Sequence, residues 1–241
     1  AFSVGWHNAK EDLPSLRLAN LAALQHPLSV DTYIEQTLRD AKAVLVRLIG
    51  GMPYWSYGLQ QLRAVAEENG IALAVLAADG RADSQLDDIS TLPVSTLRRL
   101  RQLCDAGGPD AASAALAQLA LSAGLFARPK IGQKNPPRVG GWSLQNRLSC
   151  PAAFALRVIP KPAVVISFYL SYLTAADLAP IEAAAQALEA RGFDVFGVFV
   201  PSLKEPESAA WLQRQMRLIA PVAILNATAF SGKGPDGASP L

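Results

Sequence analysis

At 241 residues, with 51% hydrophobic and 17% charged side chains, the chain can build two compact α/β domains and has the wrong balance for disorder. Its 22 basic and 20 acidic residues leave a formal net charge of +2, which gives no electrostatic footprint for nucleic acid or an anionic membrane. No apolar run approaches the roughly 20 residues of a membrane span, and Ala1 to Lys10 lacks the basic-then-apolar order of a signal peptide, so a cytoplasmic protein is expected.

In chain order, Ser29 is read as the cap of a helix running through Arg39, with Asp31 in the first turn where the helix dipole favours a carboxylate. Ala43 to Ile49 (AVLVRLI) is a short run suited to a buried strand. Gly50 and Gly51 follow at its carboxyl end, then Met52, Pro53, Tyr54 and Trp55. A helix resumes from Tyr57 to Asn69, closed by Gly70, and Ile71 to Leu76 (IALAVL) is the next strand. This is a βαβ unit, whose crossover helix packs back on a parallel sheet. Leu92 to Leu103 and Ala111 to Phe126 read as two more helices, separated by Gly107, Gly108 and Pro109. The second is Ala-rich with Leu at the spacing of a helix buried on one face.

Between Arg128 and Pro162 the character changes. Pro129, Pro136, Pro137, Pro151, Pro160 and Pro162 are interspersed with Gly132, Gly140 and Gly141. That density forbids a long helix and leaves few ladder donors, so an extended connection is expected. A second βαβαβ pattern follows: strand Ala163 to Tyr169 (AVVISFY), helix Ala179 to Arg191 ended by Gly192, strand Asp194 to Val200, helix Glu207 to Ile219 and strand Val222 to Leu225. The expected architecture is α/β, with two Rossmann- or flavodoxin-like lobes built on parallel sheets. They span residues 1–127 and 163–241 and are joined by the Pro/Gly-rich connection 128–162. The sequence stops soon after a strand, so the second lobe is expected to be truncated at its C-terminus.

Ligands bind parallel α/β sheets at the carboxyl ends of the strands, and three such ends carry candidate residues. At the first, Gly50 and Gly51 allow close backbone approach while Tyr54, Trp55 and Tyr57 offer flat surface with polar tips, a platform for a macrocycle. The alternative is that the aromatics pack the helix and the glycines turn the chain. At the second, Asn226 and Thr228, beside Phe230, either hydrogen-bond a ligand or satisfy loop backbone groups. At the third, Tyr169, Ser171 and Tyr172 either line the same crevice or cap the sheet.

Other features carry less. Ser231-Gly232-Lys233-Gly234 is not a phosphate loop, because Gly234 stands where the magnesium-binding Ser or Thr belongs and Ala227 where the first glycine belongs. His7 and His26 have no second His or Cys at ligand spacing, and Cys104 and Cys150 form neither a metal motif nor a disulfide framework, so no metal site is expected. Asp79, Asp83, Asp87 and Asp88 read as a solvated loop, and Arg98, Arg99 and Arg101 as a solvated helix face. The residues by themselves give two lobes with ligand crevices and no reaction.

Five stretches add a resemblance. They are LPSLRLANLAALQHPLSVDTYIEQTL (Leu13 to Leu38), VRLIGGMPYWSYGLQQL (Val46 to Leu62), GIALAVLAADGRAD (Gly70 to Asp83), VFVPSLKEPESAAWL (Val198 to Leu212) and ILNATAFS (Ile224 to Ser231). In this order they resemble the N-terminal part of the large (CobN-type) subunit of aerobic cobaltochelatase, related to the porphyrin-binding (H) subunit of magnesium chelatase. The likeness runs from Leu13 to the end and is weakest across Arg128 to Pro162. It implies a tetrapyrrole-binding ligase subunit that inserts Co(II) into hydrogenobyrinic acid a,c-diamide in cobalamin biosynthesis. ATP and Mg would be used by separate AAA+ ATPase partner subunits, with no cofactor bound by this part, which alone would be inactive. Family members often carry an Arg where this chain has Leu170, so any ligand contact by that Arg is missing here. No catalytic residue is carried over. Two other readings remain: a stand-alone two-lobe module closing on a small ligand, or a docking domain for the AAA+ partners.

Overall fold

In the computed structural model, residues 1–78, 82–128, 136–149 and 161–228 are described, and the chain divides into two compact units, Ala1–Asn135 and Pro136–Leu241. The first unit runs α1 (Phe2–His7), α2 (Pro27–Tyr33), β1 (Ala43–Leu48), α3 (Ser56–Asn69), β2 (Ala72–Ala77), α4 (Ser84–Ile89), α5 (Val94–Ala106) and α6 (Gly108–Ser122). Strands β1 and β2 pair in parallel from Ala43↔Ala72 to Leu48↔Ala77, with α3 as the crossover. Gly70 ends α3 in the left-handed conformation (φ 65°) that a side chain would strain. All six residues of β2 are buried, which is why its sequence is a continuous apolar run without alternation. On one sheet face Val46, Leu48, Leu73 and Val75 meet Leu59 of α3 and Leu86 of α4, and on the other Ala74 and Leu76 meet Leu97, Leu100 and Leu119 of α5 and α6.

Several local expectations change. Helix α2 begins before Ser29: His26 is the cap, its Nδ1 accepting from the Leu28 amide at 3.2 Å, with Pro27 pre-set for the first turn. The helix passes into a π-helical turn, Ile34–Leu38. Asp31 lies past the first turn and accepts a hydrogen bond from the Tyr57 hydroxyl at 2.8 Å. Helix α6 is buried nearly all round, not on one face, because its alanines let α1, α5 and β1 approach from several sides. Asp83 is an N-cap, accepting from the amides of Gln85 (3.0 Å) and Leu86 (3.4 Å) at the start of the short helix α4, which carries Asp87 and Asp88. Arg98 and Arg99 are exposed on α5. Asp79, Cys150, Phe230 and the Ser231–Gly234 stretch lie outside the described residues.

Cys104, on α5, is a free buried thiol. Burial pushes its pKa from 9.0 up to about 11, against the opposing pull of Arg47 and with a smaller push from Asp105. The folded thiol holds its proton where the unfolded one releases it. This contribution to stability is therefore intact below pH 9.0 and is lost as pH rises through about 11. Iodoacetamide at pH 8 is expected to leave Cys104 unmodified in the folded chain and to label it after denaturation, as read by peptide mass spectrometry. Fast labelling of the folded chain would contradict this burial.

The second unit runs β3 (Gly140–Ser143), β4 (Arg147–Ser149), β5 (Ala163–Tyr169), α7 (Leu170–Ala175), α8 (Ala179–Glu189), β6 (Asp194–Val200), α9 (Pro206–Ile219) and β7 (Ala223–Asn226). They form one sheet in the order β4-β3-β6-β5-β7. Strand β5 is parallel to both β6 and β7, whereas β3 is antiparallel to β4 and β6. The hairpin β3–β4 lies inside the stretch read as an extended connection, so that reading does not hold for Gly140–Ser149. No proline falls there, which leaves the ladder donors in place. The glycines serve packing: a Cβ on Gly140 would sit 2.6 Å from the Phe199 ring, and one on Gly197, opposite Trp142, would sit 2.7 Å from the indole. Among the described residues, no helix is long and apolar enough to cross a membrane.

Candidate functional site

In the second unit the chain leaves β5 through α8 to β6 on one side, then returns through α9 to β7 on the other. The strand order therefore reverses between β5 and β7, and the crevice outside their carboxyl ends is where open α/β sheets bind ligands. Asn226 ends β7 at this point, followed by Ala227 and Thr228. The Ser167 hydroxyl, buried on β5, donates to Asn226 Oδ1 at 2.8 Å. The Thr228 hydroxyl and amide point at the same oxygen, at 3.0 and 3.3 Å. A backbone N–H can only donate, so the atom facing it must be the amide oxygen and not the nitrogen. That fixes the orientation of the side chain. Asn226 is exposed at the strand end, and its Nδ2, which can donate two protons, makes no hydrogen bond among the described residues. Such a donor suits a carbonyl or carboxylate acceptor. The Ala227 amide, donating to Ser167 O at 2.8 Å, fixes the backbone below it.

Tyr169, Ser171 and Tyr172 do not converge beside it. Tyr169 packs with Val165 and Val198 on one face of the sheet, Tyr172 with Ile166 and Phe168 on the other, and Ser171 is exposed. Leu170 opens α7 and packs into the same core as Tyr172.

In the first unit, Gly50 (φ 96°) and Gly51 (φ 67°) both take left-handed backbone at the end of β1. A Cβ on Gly50 would lie 3.4 Å from Tyr54 Cβ, and one on Gly51 would lie 3.0 Å from the Asp83 carboxylate. Tyr54 is 49% exposed and Tyr57 37%, but Trp55 is only 6% exposed. Its indole Nε1 donates to Leu24 O at 2.7 Å, and its ring packs in the core with Leu59 and Val30. Trp55 therefore supplies no free face for a platform. The four residues do not act as one surface: Gly50, Gly51 and Tyr54 share an exposed turn, and Trp55 points away from it into the core.

Ser167 is the residue that sequence reasoning missed. The signal was there: it is the one small polar residue in the apolar run AVVISFY, two positions before the strand ends. Among the described residues, no group of three or more His, Cys, Asp or Glu side chains is placed to hold a metal ion.

These features define a two-unit α/β protein whose second unit has a strand-order reversal between β5 and β7, with the Asn226 side chain at the strand end. Over nearly its whole length the chain is homologous to CobN, a subunit of aerobic cobaltochelatase. It is 35% identical to the aerobic cobaltochelatase subunit CobN of a Sinorhizobium species over 246 residues, which is 95% of this chain and 19% of that protein. It is 31% identical to the Pseudomonas aeruginosa subunit of the same name, over 94% of this chain and 18% of that one. The chain thus spans about a fifth of the length of these relatives. The catalytic subunit of cobaltochelatase from Mycobacterium tuberculosis shares the fold, with a TM-score of 0.62 at 20% identity over 88% of this chain and 16% of that one. No family profile matches the chain.

Proposed function

We propose that this chain is the N-terminal portion of the tetrapyrrole-binding subunit of a cytoplasmic, ATP-dependent cobaltochelatase. The whole subunit would act as a ligase that inserts Co(II) into hydrogenobyrinic acid a,c-diamide during cobalamin biosynthesis, with ATP hydrolysed by separate AAA+ partners. The observation that carries this reading is the 35% identity to CobN along 95% of the chain. Its two lobes would be the units Ala1–Asn135 and Pro136–Leu241, with the β3–β4 hairpin part of the second. Asn226, oriented by Ser167 and Thr228, is the residue best placed to meet an acidic or amide side chain of the substrate.

A hydrogen bond to a charged acceptor contributes about 1.5–3 kcal/mol, and 1.4 kcal/mol is tenfold in affinity. Asn226→Ala in the full-length subunit is therefore expected to weaken tetrapyrrole binding about 10-fold, read by fluorescence titration with the metal-free substrate. Unchanged affinity, with the variant folded as judged by circular dichroism, would remove Asn226 from the site.

A further inference from the structure

The sheet of the first unit has two strands, and among the described residues β1 pairs with β2 alone. The carbonyls of Lys42 and Leu48 accept from the Ala72 and Ala78 amides at 3.0 and 2.8 Å, so the even-numbered residues of β1 turn their backbone groups toward β2. A residue's N–H and C=O share one edge of a strand, so those of Ala43, Leu45 and Arg47 point along the other edge. The burial of the two strands differs accordingly. Every residue of β2 is buried, whereas Ala43, Val44, Leu45 and Arg47 of β1 are only half-buried.

Along this open edge lies a cavity of about 640 Å³. One wall is the consecutive run from Asp40 to Arg47, and another is the run from Leu13 to Ala19, which belongs to no helix or strand. Apart from the Pro14 carbonyl, which accepts from the Trp6 indole at 2.8 Å, the backbone of that second run makes no hydrogen bond among the described residues. Leu116 and Leu119 of α6, with Leu125, add an apolar wall. The cavity therefore joins unpaired backbone groups to apolar side chains along about 16 Å of strand edge, at roughly 3.3 Å per residue. This is the combination that strand addition satisfies, through backbone pairing on one side and alternating side-chain contacts on the other.

We propose that an apolar strand from another part of the same full-length polypeptide adds to β1 along this edge and completes the sheet of the first unit. The occupant is assigned to the same molecule because the chain spans only 19% and 18% of its CobN relatives, so about four-fifths of such a subunit is available in cis. A tethered strand is at high effective concentration and forms the pairing without an association step. The mainly aliphatic lining fits a strand better than it fits a polycarboxylate. The inference rests on the homology and the open edge, and its test does not depend on any chelatase reaction.

Leu18 lines the cavity and is 59% exposed, so a photoreactive benzoylphenylalanine there leaves the core intact. In the full-length subunit, irradiation followed by peptide mass spectrometry is expected to join position 18 to a peptide of the same polypeptide outside residues 1–241. A cross-link to a second copy, to a partner subunit or to tetrapyrrole would overturn the proposal, as would one confined to residues 1–241. Amide exchange supplies an independent reading. Exchange at Ala43, Leu45 and Arg47 is expected to be at least about 10-fold slower in the full-length subunit than in the 241-residue chain, and equal rates would also overturn the proposal.

Discussion

Trp142→Ala is expected to destabilise the second unit by about 3–5 kcal/mol, the cost of emptying a buried aromatic site. A domain's whole stability is about 5–15 kcal/mol, so this loss brings the unit close to unfolding. Trp142 is fully buried, stands edge-on to Phe168 with ring centroids 6.2 Å apart, and faces Gly197 across the β3–β6 pairing. Phe168 in turn meets Phe199 at 6.0 Å. Removing the indole therefore opens a cavity where three aromatic side chains and a glycine are fitted to one another, and no neighbour can fill it without leaving its own site. Trp142→Phe is expected to lose less. It keeps an aromatic edge against Phe168 and removes the indole N–H, which is buried without a hydrogen-bond partner among the described residues. Hydrogen exchange of the Asp194–Val200 peptide in rising urea reports this unit by itself. An alanine variant as protected as the parent chain would show that β3 does not hold the sheet.

The second large effect has a sign opposite to the usual one. Replacing a helix-interior glycine by alanine ordinarily stabilises by about 0.5–1 kcal/mol. At Gly58, in α3, the new Cβ would lie 2.1 Å from Trp55 Cε2 and 2.3 Å from Cζ2. The indole cannot retreat easily, because its nitrogen is held by Leu24 O at 2.7 Å and its ring is enclosed by the core of the first unit. Gly58→Ala is thus expected to destabilise by about 1–3 kcal/mol, the range for overpacking a core. Adding Trp55→Ala should relieve the clash, so the double variant should be more stable than the sum of the two single losses predicts. Urea unfolding read through amide exchange of Ala72–Ala77 measures both quantities. A Gly58→Ala chain as stable as its parent, or more so, would contradict the packing of Trp55.

The same residue shows where the sequence could be read and where it could not. The βαβ core of the first unit was legible because its strands are continuous apolar runs and Gly70 punctuates the helix between them. The three parallel strands of the second unit were legible for the same reason. Trp55 was not, because an aromatic after a strand end looks the same whether it faces a ligand or folds back over a glycine three residues later. Hairpin β3–β4 was hidden by composition. Gly140 and Gly141 read as loop residues beside so many prolines, yet the space at Gly140 belongs to the ring of Phe199 on the paired strand. Short elements such as α4 and α7 have too few residues to show a period. His26 gives no cap signal in the sequence, because Ser and Asp are the commoner choices there.

The candidate crevice was half legible. Strand ends announce Asn226 and Thr228, but only the neighbouring strand supplies Ser167 and with it the orientation of the Asn226 amide. That partner lies 59 positions away in sequence, beyond any local motif. Where the strand order reverses is likewise a property of pairing and not of composition.

The proposed function is tested most directly by cobalt insertion in the full-length polypeptide that contains this chain. The purified subunit would be combined with the proposed AAA+ partners, ATP, Mg and Co(II), and with metal-free hydrogenobyrinic acid a,c-diamide, and the absorbance of the corrinoid followed. Formation of the cobalt corrinoid is expected to depend on both the subunit and ATP, with none formed when the 241-residue chain replaces the full-length subunit. Absence of insertion by a folded, full-length subunit that still assembles with those partners would contradict the proposed function.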